Sequence, residues 1–169
     1  MKFPQLKPRW RKLVLLLHIL GGVGWMGLDV GLVALALTAA TTDSAPTAVA
    51  SYSALGLVIP LAVLPLCLLM LITGLWLGAA TKWGLIRYWW VAAKLAVGLV
   101  LTGLVLAVLL PAAAGLAPAG AYPDGAAVRS ALGPMAAQIV FPPIVSFVAL
   151  GFALVLSVFK PWGKIRVKQ

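Results

Sequence analysis

Acidic side chains are nearly absent from this chain of 169 residues, which has three Asp and Glu against 13 Lys and Arg. Charged residues of both signs make up only 9% of the sequence, whereas apolar residues make up 63%. A soluble domain carries about 25% charged residues, so this chain has too little polar surface to face water on every side. The composition excludes a soluble globular domain and predicts an integral membrane protein.

Cysteine and histidine are also scarce. The single cysteine, Cys67, excludes an intrachain disulfide, and the single histidine, His18, excludes a haem held by two histidines of one chain. The sequence contains neither a phosphate-binding glycine-rich loop nor a Cys–His–acid set. A dedicated copper site has little support, because Cys67-x-x-Met70 is the only spacing of soft ligands that would suit a metal.

Four apolar runs are long enough to cross a membrane, which takes about 20 residues in a helix. They cover residues 13–40, 54–80, 89–110 and 136–159 of a single membrane domain over 1–169. A short helix is expected near 126–132, inside the connection 111–135. Prolines at 60, 65, 142 and 143 are expected to bend the second and fourth runs. The predicted fold class is all-α, a polytopic bundle of four transmembrane helices.

The basic residues predict how the bundle is oriented. The N-terminal tail has five Lys and Arg, the connection 81–88 has two and the C-terminal tail has four, whereas the other two connections have only Arg129. The positive-inside rule therefore places both termini in the cytoplasm of a multi-pass cell-membrane protein. The aromatic residues near the basic ends of the spans suit an interfacial belt: Trp10, Trp83, Tyr88, Trp89, Trp90 and Trp162. This distribution of the +10 net charge predicts contact with membrane lipids and no nucleic-acid partner.

Three ionisable residues fall within the spans: His18, Asp29 and Lys94. A charge at the centre of a bilayer costs on the order of 2.5–3.5 kcal/mol, so each is a candidate for function. His18 and Lys94 both lie five residues inside their spans from the cytoplasmic side, which predicts a shared depth. Alternatively, Lys94 extends its long side chain to the interface.

The first span carries a polar and aromatic stripe. At 100° per residue, His18, Gly22, Trp25 and Asp29 share one face, which predicts the wall of a binding pocket. The energetic cost of burying Asp29 would be reduced by a hydrogen bond to Gln138, another intramembrane polar candidate, or by pairing with Arg129. Gly27-x-x-x-Gly31 lies on the other side and favours close helix contact, either within the chain or in a homo-oligomer.

The segments LLHILGGVGWMG (16–27) and WWVAAKL (89–95) resemble small integral membrane proteins that are common in actinobacteria and mostly of unknown function. They are more distantly similar to HemJ-type protoporphyrinogen oxidases and to the membrane domain of CopD copper-resistance proteins. In the HemJ type, a histidine of the first helix, followed by a Trp-Met stretch, is associated with haem, and a lysine occurs in a later helix. The resemblance implies corresponding positions at His18, Trp25-Met26 and Lys94.

Two classes of function follow from these residues. In the first, the protein binds haem or another planar cofactor, with His18 as metal ligand or proton-transfer group, Gly22 and Trp25 in the pocket wall and Lys94 as partner of an anionic group. In the second, it is a non-enzymatic accessory protein that serves an unidentified membrane partner or handles a small molecule. A transporter subunit is a third hypothesis, and the sequence leaves open whether the protein is an enzyme.

Overall fold

The computed structural model describes residues 7–81 and 84–165, which form a bundle of long α-helices. Helix α1 covers Pro8–Thr41, α2 covers Ala45–Ala80 and α3 covers Trp89–Ala114. A short helix α4, Gly125–Leu132, precedes α5, Pro134–Phe159. The described residues contain no β-strand, only an isolated bridge between Tyr88 and Lys164. The predicted all-α bundle of four long apolar helices is confirmed.

Helix α2 starts earlier than the apolar pattern indicates. The sequence predicts a connection over 41–53, yet α2 begins at Ala45. Ser44 is the N-cap, since its hydroxyl oxygen accepts a hydrogen bond from the backbone N–H of Thr47 over 3.4 Å, and a proline follows in the first turn. The N-cap and the proline start the helix before the apolar run begins, in a segment whose Ser and Thr residues lower the hydropathy.

The four long helices form a ring in the order α1, α2, α3, α5. Helix α1 packs against α2 and α5, and α3 packs against the same two helices, so α1 and α3 face each other across the bundle. The short α4 packs on the first part of α2. This order leaves room along the bundle axis between α1 and α3.

The outer surface of the ring is apolar. Large side chains such as Leu61, Phe141 and Phe159 are more than 70% exposed. Water would not tolerate so large an apolar surface, whereas lipid would. Since each long helix is also long and apolar enough to cross a bilayer, the chain is a multi-pass membrane protein.

Helices α1 and α2 make their closest approach at Gly21. A Cβ atom on Gly21 would stand 2.9 Å from the backbone nitrogen of Met70, which is closer than real Cβ contacts. The glycine pair that the sequence singles out behaves differently, because a Cβ on Gly27 or Gly31 would meet nothing within 4 Å. Within the described residues, this pair therefore supports no helix contact, and the crossing depends on Gly21.

Two of the long helices contain a wider π-helical turn. One covers Ile59–Val63 in α2 and the other Val105–Leu109 in α3. Each ends two residues before a proline, Pro65 or Pro111. A proline ring clashes with the carbonyl four residues earlier, and a wider turn absorbs that clash without ending the helix. In α5, by contrast, the helix is interrupted at residues 139–140, just before Pro142 and Pro143.

We call the end of the bundle where α1 and α3 begin and α2 and α5 end the basic end. Its described basic residues are Lys7, Arg9, Arg11, Lys12, Arg87, Lys160 and Lys164, while Lys2, Lys82, Trp83, Arg166 and Lys168 lie outside the described residues. Trp10, Trp89 and Trp162 are between 46% and 59% exposed, as an interfacial belt requires. Trp90 is only 6% exposed, so its place in the predicted belt is wrong.

The C-terminal segment is joined to the α2–α3 connection at the basic end. The backbone N–H of Ile165 donates to the carbonyl of Arg87 over 3.0 Å, and that of Trp89 donates to the carbonyl of Gly163 over 3.4 Å. These bonds flank the bridge between Tyr88 and Lys164. These backbone contacts join the start of α3 to the segment that follows α5.

The close helix crossing yields a stability prediction. We expect Gly21→Ala to lower the free energy of unfolding by about 1–3 kcal/mol, because the added methyl group forces α1 away from the Met70 backbone. Gly27→Ala is the matched control, since its methyl group meets open space. Thermal unfolding in detergent measures both variants. Equal stability of the two would show that the crossing does not depend on Gly21.

Candidate functional site

A cavity of about 980 Å³ lies within the half of the bundle nearer the basic end. All four long helices line it, and His18, Lys94, Ser157 and Lys160 supply its polar groups together with Arg11 and Thr81. The rest of the lining is apolar or glycine. This volume is at the upper end of the range of about 300–1,000 Å³ found for small-molecule sites.

His18 is held by the backbone of α2. Its Nδ1 lies 2.9 Å from the carbonyl oxygen of Met70 and 3.2 Å from the hydroxyl of Thr73. A carbonyl oxygen only accepts hydrogen bonds, so Nδ1 carries the ring proton and donates it to Met70. The other ring nitrogen, Nε2, then has a free lone pair, and no described residue is hydrogen-bonded to it.

Glycine makes room for the imidazole. A Cβ on Gly74 would stand 2.9 Å from the Cε1 atom of His18, so a larger residue would displace the ring. One turn away, the side chain of Met70 packs near Gly22 on α1 and Gly98 on α3. Since Lys94 is one turn from Gly98, these contacts set His18 and Lys94 at the same level on opposite sides of the cavity.

Lys94 lines the cavity, and its side chain extends along the cavity wall toward the basic end. Its ammonium group donates to the hydroxyl of Ser157 over 2.8 Å and lies 4.8 Å from the centre of the Trp90 ring. The Ser157 hydroxyl donates to the carbonyl of Ala153, so its oxygen is available to accept from Lys94. Trp90 therefore supports the lysine instead of contributing to an aromatic belt.

Trp25 and Asp29 belong to a different region from His18 and Gly22. The carboxylate of Asp29 is 1% exposed and accepts a hydrogen bond from the hydroxyl of Ser146 over 2.7 Å. The indole of Trp25 also interacts with this carboxyl group. Trp25 and Ser146 line a second, smaller cavity of about 200 Å³ between α1, α3 and α5. The predicted stripe of α1 is thus divided between two sites.

The proposed partners of Asp29 do not reach it. The guanidinium of Arg129 donates to the carbonyls of Ala39 and Thr42, over 3.3 and 2.9 Å, and so caps the end of α1. Those carbonyls lie about 15 Å farther along the helix than Asp29. Gln138 is exposed and is not hydrogen-bonded to Asp29. The pairing of Asp29 with Arg129 or Gln138 is wrong, since the serine of α5 replaces both.

No cluster of metal ligands appears in the part of the chain that the structure describes. There is no group of three or more His, Cys, Asp or Glu side chains placed to hold one ion. The Cys67 thiol is fully buried and donates to the carbonyl of Leu64 over 3.2 Å. An isolated ion therefore has little support, whereas His18 alone could serve as one ligand of a metal that a larger cofactor brings with it.

Sequence patterns did not identify several residues that build the site. Met70 and Gly74 hold His18, Ser157 binds Lys94, and Ser146 binds Asp29. Glycine and serine are common in membrane helices and carry no pattern of their own. These residues can be recognised only when it is known which helices are neighbours in the ring.

Comparisons of the chain with models of protein families, with curated proteins and with solved structures find no match.

The Asp29–Ser146 contact gives a second stability prediction. We expect Ser146→Ala to lower the free energy of unfolding by about 1–3 kcal/mol, because a buried carboxyl oxygen loses its donor. Ser130→Ala, at an exposed position of α4, is the control and should change stability by less than about 0.5 kcal/mol. Chemical unfolding in detergent compares the two. A Ser146→Ala protein as stable as the control would mean that this bond contributes nothing.

Proposed function

We propose that this membrane protein binds haem or another planar cofactor in the larger cavity, with Nε2 of His18 as ligand. The observation that carries the proposal is the hydrogen bond from Nδ1 of His18 to the carbonyl of Met70. Histidines that bind metals commonly donate their other ring N–H to a carbonyl or carboxylate, which fixes the tautomer and the ring orientation. The same bond here leaves Nε2 as the nitrogen with a free lone pair.

The shape and lining of the cavity suit a planar ligand. Its volume of about 980 Å³ is large enough for a ligand with several fused or linked rings. The apolar lining, which includes Met26 and Met70, would exclude water from the faces of such a ring. These features support a tetrapyrrole, and the sequence resemblance to HemJ-type proteins points the same way.

The roles of the residues follow from this arrangement. Bound haem supplies one-electron redox chemistry, for which the protein provides orientation and surroundings. His18 would hold the metal, Met70 and Thr73 would orient the imidazole, and Gly22 would leave space for the Met70 side chain beside it. Trp25 lies with the smaller cavity, so it takes no part in holding the cofactor.

Spectroscopy of the purified protein tests the proposal. Protein expressed with ample haem should show a Soret band that shifts on reduction with dithionite, and His18→Gly should lose the iron ligand and change or abolish the band. Added imidazole should restore the spectrum of the His18→Gly protein, because it can occupy the space that the side chain leaves. Cys67→Ser, which alters a buried side chain outside the cavity lining, is the control and should keep the band.

Two results would contradict haem ligation by His18. One is the absence of a Soret band from folded wild-type protein after loading with haem. The other is a band that His18→Gly leaves unchanged. Rescue by imidazole separates loss of a ligand from loss of the fold, because a misfolded protein would not recover its spectrum.

A non-enzymatic role in handling a small molecule is the second candidate. The observation in its favour is that Asp29, Arg129 and Lys94 all have hydrogen-bond partners within the chain, as structural polar residues do. In that role the large cavity would hold a colourless ligand and His18 would support the helix contact. A transporter subunit would use the same cavity, although the interruption of α5 at residues 139–140 lies beside the smaller one.

We also propose that the protein lies in the cell membrane with its basic end, and hence both termini, in the cytoplasm. Seven of the described basic residues stand at that end: Lys7, Arg9, Arg11, Lys12, Arg87, Lys160 and Lys164. Arg129 is at the opposite end. An excess of Lys and Arg in short connections marks the cytoplasmic side of membrane proteins.

Cysteine labelling in a Cys67→Ser background tests this orientation. Ala121→Cys, in the exposed connection between α3 and α4, should react with a membrane-impermeant maleimide on intact cells. Lys164→Cys, exposed at the basic end, should react only after the cells are permeabilised. The reverse pattern would place the basic end outside.

A further inference from the structure

We infer that the ligand of the larger cavity carries ionised acid groups and that it binds with those groups at Lys94. This inference rests on the proposed function and specifies the chemical class of the ligand: an apolar, planar molecule with carboxylates along one edge. Four observations carry it.

The first is the position of the Lys94 ammonium group. One of its three N–H bonds is used by the hydroxyl of Ser157, and its charge lies against the face of Trp90. These two contacts fix the group on the cavity wall and leave it a donor for a ligand. Both contacts lie toward the basic end, so the ammonium group stands at the basic-end part of the cavity.

The second is the lack of an internal counter-ion. The chain has three acidic side chains, Asp29, Asp43 and Asp124, and none of them lines the cavity. Asp29 bonds to Ser146, which is eleven residues from Ser157 on the same helix and therefore about 16 Å away along its axis. Asp43 and Asp124 lie at the far ends of α1 and α4 from the cavity. The charge of Lys94 is thus uncompensated by any acidic side chain.

The third is that the neighbouring charges have the same sign. Arg11 and Lys160 line the cavity together with Lys94, at the basic end. Positive charges placed together in a partly apolar site attract anions strongly and repel cations. An acid group that enters the site with the ligand would therefore be attracted toward Lys94.

The fourth is the polarity gradient along the cavity. Away from the basic end, its lining is formed by apolar side chains such as Met26 and Leu150. Only one orientation of an amphiphile satisfies both regions, with its apolar body toward Met26 and its acids toward Lys94. Haem has this form, because its two carboxylates lie on one edge of an apolar macrocycle.

Titration with matched porphyrins tests the inference. Wild-type protein in phosphatidylcholine nanodiscs is titrated with haem, with haem dimethyl ester and with metal-free protoporphyrin, and binding is followed by absorption and fluorescence. The dimethyl ester should bind about 10- to 100-fold more weakly than haem, as expected for loss of a charge-assisted hydrogen bond. Metal-free protoporphyrin should likewise bind more tightly than its own dimethyl ester, titrated in parallel, since the preference of the protein for the diacid does not need iron.

Substitution of Lys94 gives the second arm. Lys94→Met should weaken the binding of haem by a similar factor and leave the binding of the dimethyl ester unchanged. Lys94→Arg should still bind the diacid more tightly than the ester. Lys164→Met, which removes an exposed charge of the basic end outside the cavity lining, is the control and should bind both forms as wild type does. Binding of the ester by Lys94→Met also shows that the variant is folded.

The failures of this inference and of haem ligation by His18 are distinguishable. Equal binding of haem and its ester, with ligation lost in His18→Gly, would overturn the acid-group inference alone. Suppose instead that the protein binds haem more tightly than its ester, that this preference is lost in Lys94→Met, and that His18→Gly leaves the spectrum unchanged. Haem ligation by His18 alone would then be overturned. If no porphyrin binds and phosphatidylglycerol instead occupies the cavity in a Lys94-dependent manner, the anion is a lipid phosphate and the inferred ligand class is wrong.

Discussion

The crossing of α1 over α2 at Gly21 and Met70 determines the rest of the structure. Because Gly21 has no side chain, the backbone of Met70 comes close enough for its carbonyl to accept a hydrogen bond from His18, one turn along α1. The Met70 side chain then extends toward Gly98 of α3 and spans the bundle. One residue of α2 thus sets the distance between two helices, the orientation of the histidine and one boundary of the larger cavity.

The ionisable side chains inside the bundle have two kinds of surroundings. In the half away from the basic end, the ionisable side chains Asp29 and Arg129 meet partners from the same chain: Asp29 meets Ser146, and Arg129 meets the carbonyls that end α1. In the half near the basic end, Lys94 is positioned by neutral groups and remains without a neutralising charge. The first arrangement relieves the cost of burial, whereas the second would leave that cost for the proposed ligand to relieve.

The hydropathy pattern and helical periodicity were sufficient to predict the four long helices, the short α4 and the face shared by His18 and Gly22. They failed where the outcome depends on which helices are neighbours. The sequence alone does not show which of Gly21 and Gly27 lies at a helix contact, and in the structure only Gly21 faces α2. Trp25 follows the periodicity of His18, yet the neighbouring α5 places it at the smaller cavity. Asp29 is hydrogen-bonded to Ser146 rather than to Arg129 or Gln138, because α5 brings that serine to the same depth.

The larger cavity draws its parts from both ends of the polypeptide. Its histidine lies in the first helix, whereas the serine that holds Lys94 lies two residues before the last helix ends, and the segment beyond pairs with the connection before α3. During biosynthesis the first helix therefore enters the membrane long before the fourth wall of the site exists. The proposed ligand could therefore be retained only after the last of the four long helices has inserted. Loading of the site would follow assembly of the bundle, and the first three helices alone would present His18 without the serine that positions Lys94.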